Sequence, residues 1–135
     1  MILSVPWGAI PEALGQAGEL SDQVVIDTTN QFGAGPKPAP EQTAASFNAQ
    51  RLPRARYVKS FNTLTAHFRQ QAADRDGPDR VVQWICGDDP QAKELVAVLI
   101  DDMGCVPVDL GGTQTCQVME APRTRGAVRR GIPRG

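Results

Sequence analysis

At 135 residues the chain is one domain by length, large enough to bury roughly two-thirds of its unfolded surface. A hydrophobic fraction of 41% and a charged fraction of 21% are ordinary for a soluble globular protein. A net charge of -1 excludes a global pull towards nucleic acid or anionic lipid, and no apolar run approaches the length of a membrane span.

Charge is unevenly placed. Residues 1–110 carry nine basic and fourteen acidic side chains. Residues 111–135 carry five arginines (Arg123, Arg125, Arg129, Arg130 and Arg134) against Glu120. Such an end reads as a solvated, flexible tail; without interleaved aromatics it is no nucleic-acid arm. Cys86, Cys105 and Cys116 are widely spaced, no CxxC pair exists, and His67 is the sole histidine. A structural zinc site is therefore not expected. Cys86 and Cys105 sit in apolar runs and read as buried small hydrophobes, in keeping with a reducing cytoplasm. No basic segment precedes the first apolar run, so no signal peptide is read there.

Five apolar runs of strand length follow in order: Met1–Val5, Val24–Asp27, Tyr57–Phe61, Val81–Cys86 and Cys105–Leu110. Runs this continuous are how strands covered on both faces read. The first connection holds Pro11 near a helical start, with Gly15 or Gly18 to close it. The second opens on the Pro-rich loop Gly33–Pro40 and then offers a helix over Glu41–Gln50. A third helix is expected over Thr65–Ala73, bearing His67 as a structural or partly exposed residue. The fourth is the clearest: Asp89 caps, Pro90 fits the first turn, and Leu95, Val96, Leu99 and Met103 follow at helical spacing to Gly104. Strand and helix in alternation predict an α/β fold, a mostly parallel sheet of about five strands with helices on both faces. The first strand begins at Met1, as though the chain opened in mid-fold.

Open parallel sheets bind ligands beyond the carboxyl ends of their strands. Those exits read Pro6-Trp7-Gly8, Thr28-Thr29-Asn30 and Asn62-Thr63-Leu64. An indole plane, hydroxyls and two carboxamides suit a flat heteroaromatic ligand, with Trp7 stacking and Asn30, Asn62 and Thr63 hydrogen-bonding. The same residue types also form turns and caps without any ligand. No nucleophile or proton shuttle is evident, and hydride transfer needs neither, because a cofactor carries that chemistry. Asp88-Asp89 ahead of Pro90 reads as acid at a helix N-terminus rather than a metal pair. Gly33-Ala34-Gly35 is no dinucleotide fingerprint, since Pro38 occupies the third glycine's place and no helix starts on it.

Six segments in register carry a resemblance: Ser4–Trp7, Val25–Asn30, Val58–Leu64, Cys86–Asp89, Pro107–Gly112 and Met119–Arg123. Together the chain resembles the NADP oxidoreductases dependent on the deazaflavin coenzyme F-420 and their bacterial NADPH-dependent reductase relatives, from residue 1 to about Val128. The resemblance implies a Rossmann-like, doubly wound fold, a homodimer, and hydride transfer between NADP(H) and a deazaflavin, flavin-like or other acceptor. By position it implies that Ser4, Val5, Pro6 and Trp7 line the nicotinamide side, with Asn30 at the next strand end. Asn62, Thr63 and Ala66 would lie near the nicotinamide or the acceptor ring.

Members of that family begin with a strand, a glycine-rich turn and a helix, then a second strand that selects the 2′-phosphate. This sequence has no counterpart to them, and Gln31 replaces a frequent proline. An N-terminally truncated, incomplete Rossmann-like domain is therefore expected over 1–110, with a basic tail over 111–135. The chain alone is expected to bind NADP weakly. The alternative expectation is a non-catalytic remnant with at most a partner-binding or dimerisation role.

Overall fold

Alternation along the strands sets the architecture, because successive side chains of a strand face opposite ways. The structure is a computed structural model, and it describes residues 1–63 and 80–120. Val25, Tyr57 and Cys86 face one hydrophobic cluster with Leu3, while Ile26, Val58 and Ile85 face a second. Each strand thus needs cover on both sides.

The strands are β1 (Ile2–Leu3), β2 (Val24–Asp27), β3 (Arg56–Ser60), β4 (Val82–Cys86) and β5 (Val106–Asp109), ordered β1-β2-β3-β4-β5. β1, β2 and β3 run parallel, β4 is antiparallel to β3, and β5 is parallel to β4. Helix α1 (Ile10–Ala17) and α2 (Ala44–Gln50) supply Ile10, Ala44 and Ala45 to the first cluster. Helix α3 (Pro90–Asp102) supplies Ala92, Val96 and Ile100 to the second. The Rossmann-like, mostly parallel sheet with helices on both faces is the fold observed. β1 stands at one edge, with Ile2 63% exposed.

Helix ends follow their capping residues. Asp89 accepts the Ala92 amide at 3.0 Å and Pro90 opens α3, as the sequence predicts. α1 ends at Gly18, whose φ of 73° suits glycine. α2 starts at Ala44 rather than Glu41, because Thr43 is the residue that caps it: its hydroxyl accepts the Ser46 amide at 2.9 Å and donates to the Thr113 carbonyl at 2.5 Å. Thr43→Ala removes both bonds, and urea denaturation should show a loss of about 1–2 kcal/mol.

The flexible tail expected from residue 111 is packed over its first part. Thr113–Met119 forms a 3-10 segment that buries Cys116 and Met119 in the first cluster. Residues 121–135, which hold the five arginines, lie outside the described residues, as do His67 and the helix expected over 65–73. Among the described residues no helix is long and apolar enough to cross a membrane.

Candidate functional site

Parallel pairing brings the exits of β1, β2 and β3 to one edge of the sheet. The Thr28 amide and hydroxyl both donate to the Leu3 carbonyl, at 3.0 and 3.2 Å, which ties the exit of β2 to that of β1. Beyond these ends lies a cleft of about 390 Å³ lined by Ser4, Val5, Pro6, Trp7, Thr28, Thr29, Asn30 and Phe32. Asn30, on its lining, is joined to Asn62 at the adjacent exit of β3. The Asn30 side-chain amide donates to the Asn62 carbonyl at 2.9 Å, and that of Asn62 donates to Asn30 Oδ1 at 3.1 Å and to the Met119 carbonyl at 2.6 Å. Asn62 Oδ1 is buried and accepts no hydrogen bond among the described residues. Phe61, immediately before it, holds a φ of 60°, uncommon for a bulky residue; such backbone concentrates at sites the surrounding fold over-determines.

One expectation needs correction. Trp7 does not offer a free stacking plane: it is 1% exposed and belongs to the first core cluster. Its ring stacks on Phe47 with centroids 5.9 Å apart, and the Arg51 guanidinium lies 5.4 Å from its centroid. Its indole N–H donates to the Pro36 carbonyl at 2.7 Å. Trp7 therefore forms a wall of the cleft and anchors the Pro-rich loop. Of the other expected residues, Ser4 and Pro6 are exposed and Val5 half-buried, all on the cleft. Asn62 reaches Asn30, Thr63 is exposed beside it, and Ala66 lies outside the described residues.

Beneath the cleft is a charged network for which the apolar pattern of the strands gives little sign. Asp27 and Lys59 are paired neighbours of β2 and β3, and both are fully buried. Lys59 Nζ donates to the Thr29 carbonyl at 2.9 Å and lies 3.7 Å from Asp27 Oδ2. Asp27 also accepts the Thr29 amide and hydroxyl, the Asn48 amide and the Tyr57 hydroxyl, at 2.5 to 2.8 Å. Burial alone would push the Asp27 carboxyl up, but Lys59 and these donors together hold it below its ordinary value. Burial and the neighbouring Asp27 charge push the Tyr57 phenol well up, so it stays a donor at neutral pH. The network holds the backbone of Thr29 directly before Asn30. Its signal in the sequence was one acid and one lysine inside runs otherwise apolar.

Asp88 and Asp89 have structural partners. Asp88 accepts the Thr113 amide and hydroxyl at 2.9 and 2.7 Å. Asp89 pairs with Arg56 at 2.6 Å, and that hydrogen bond and the Ala92 amide hold its carboxyl at about 2. Among the described residues no cluster could hold a metal ion.

No family profile matches the chain. A hypothetical protein of Sinorhizobium meliloti superposes with a TM-score of 0.77 at 30% identity, covering 91% of this chain and 62% of that one. A solved Arthrobacter protein described as a putative F420-dependent NADP-reductase superposes with a TM-score of 0.68 at 25% identity, covering 87% of this chain and 56% of that one. The chain is similar to NADP oxidoreductases. The rat metalloreductase STEAP3 is 31% identical over 105 residues, which is 78% of this chain and 21% of that protein. Mouse metalloreductase STEAP2 is 28% identical over 101 residues, 75% of this chain and 19% of that protein. The chain spans about a fifth of these two relatives and about three-fifths of the two solved structures.

Proposed function

We propose that the strand-end cleft receives the nicotinamide ring of NADP(H), and that the protein is a reductase passing hydride between it and a flat deazaflavin or flavin-like acceptor. The observation that carries this reading is the coupled pair Asn30 and Asn62 at adjacent strand ends, with Asn62 Oδ1 lacking a donor among the described residues. A ring carboxamide presents an N–H group of the kind that acceptor needs. Ser4, Val5 and Pro6 would line the ring along the exit of β1, and Thr63 would lie towards the acceptor. The fit covers the ring end of the cofactor only, since the sequence contains no glycine fingerprint for the pyrophosphate.

When bound, the cofactor supplies the hydride. The residues of this chain orient the ring and keep water from it. Orientation comes from the carboxamide pair, held from below because Lys59 grips the Thr29 carbonyl. The apolar wall of Val5, Pro6 and Trp7 excludes solvent from one side.

Titration of the chain with nicotinamide mononucleotide, followed through the Asn30 and Asn62 side-chain amide resonances, tests the reading. Both resonances should move with the mononucleotide and with NADPH, and neither with adenosine 2′,5′-bisphosphate. Asn30→Leu should weaken the mononucleotide by roughly tenfold. Resonances unmoved by either nicotinamide compound would leave the non-catalytic reading in its place.

A further inference from the structure

With Trp7 buried, the cleft needs another surface for a second flat ring, and one exposed aromatic meets it. We propose that Phe32 is the stacking face for the planar hydride acceptor, a flavin or deazaflavin ring. The inference rests on the reading of the cleft given above and adds the residue that selects its second ligand. Phe32 is 64% exposed, the exposed aromatic among the described residues, and it lines the cleft two positions beyond Asn30. A lone phenylalanine at a surface is ordinary. A phenylalanine whose backbone is pinned on both sides is less so.

Lys37 Nζ donates to the carbonyls of Gln31 and Gly33, each at 2.8 Å, the two residues flanking Phe32. The Phe32 amide donates to the Asn30 carbonyl at 2.8 Å. Further along, Pro36 accepts the Trp7 indole N–H. Gly35, at a φ of 105°, presses so close that a Cβ there would come within 3.0 Å of Gly8 Cα. The loop is thus braced internally by three hydrogen bonds and fastened to the wall of the cleft at Trp7 and Gly8, while its largest apolar side chain is left in solvent. Ordering an exposed ring in advance lowers the entropic cost of stacking a planar ligand on it. The β1 exit lines the same cleft, so a ring against Phe32 would share it with one held by Ser4, Val5 and Pro6. Hydride transfer requires that juxtaposition of two planes.

The test compares Phe32→Ala, Phe32→Leu and Phe32→Trp with the unaltered chain, using riboflavin and nicotinamide mononucleotide as separate probes in calorimetry. Alanine and leucine should weaken riboflavin by roughly five- to tenfold, and tryptophan should retain or tighten it. Mononucleotide affinity and the thermal midpoint should stay unchanged in all three. Riboflavin binding indifferent to the alanine and leucine changes, or equal loss of both probes, overturns the proposal and leaves the nicotinamide reading standing. Mononucleotide binding without any riboflavin binding does the same. Failure of the unaltered chain to bind either probe removes the cleft reading and Phe32 with it.

Discussion

Lys59→Met should destabilise the chain by roughly 3–5 kcal/mol in urea denaturation, because it strands a buried carboxylate. Asp27 is 0% exposed, and Lys59 is the cation that faces it from the paired strand. The hydroxyl and amide donors around Asp27 remain in the variant, so its oxygens stay hydrogen-bonded, but the compensating charge is lost. Adding Asp27→Asn to Lys59→Met should recover part of the deficit, since the amide carries no charge to strand. A double variant no more stable than the single one would show that the pair is not coupled in this way.

The pH dependence gives a second readout of the same pair. The Asp27 carboxyl is held below its ordinary value in the folded chain. Its contribution is therefore fully present above the unfolded value near pH 4 and is lost as pH falls through the folded one. Without Lys59, burial becomes the dominant influence and raises the folded carboxyl above its unfolded value. Stability of the variant then rises as pH drops through that raised value. The deficit against the unaltered chain should be larger at pH 7 than at pH 4.5. The reverse order would assign the damage to packing rather than charge.

How far the sequence shows this depends on whether the determinant is local. Val24–Asp27 is a strand with the predicted boundaries, and α3 begins where Asp89 and Pro90 require. Both signals lie within a few residues of the structure they specify. The polar strand ends Thr28–Asn30 and Asn62 were also legible, because parallel crossovers send every such end to one edge. Whether Trp7 offers a stacking face or packs was not legible, because its place depends on Pro36, Phe47 and Arg51, 29 to 44 positions away, and pattern along a strand does not report who covers an indole. Lys59 was hidden for the opposite reason. Inside an apolar run a lysine reads as an interruption, and only the register opposite Asp27 makes burial tolerable. Phe32 carried no periodic signal at all, since a lone aromatic in a Gly- and Pro-rich loop has none.

Reduction of the chain should cost about 3.6 kcal/mol of stability, the chain-entropy value for a cross-link closing 30 residues. Cys86 and Cys105 are buried, as their apolar runs suggest, but Cys86 is not a free thiol. Cys86, at the end of β4, is joined to Cys116 of the 3-10 segment, their Cα atoms 5.9 Å apart, and Cys105 is the buried free cysteine. Sequence spacing concealed the pair, because a crossover helix and a strand separate its two members. The bond fastens a segment whose far end reaches the cleft: the Met119 carbonyl accepts Asn62, and the Glu120 carboxylate accepts the Ala44 and Ala45 amides that open α2. Cys116→Ser should therefore lower the urea midpoint and disturb the Asn62 side-chain resonance, while Cys105→Ser should not disturb that resonance. Thiol titration in denaturant should find one reactive group before reduction and three after. Three groups titrating without any reductant would mean that the two sulfurs are neighbours and not bonded, and the stability difference on reduction should then vanish.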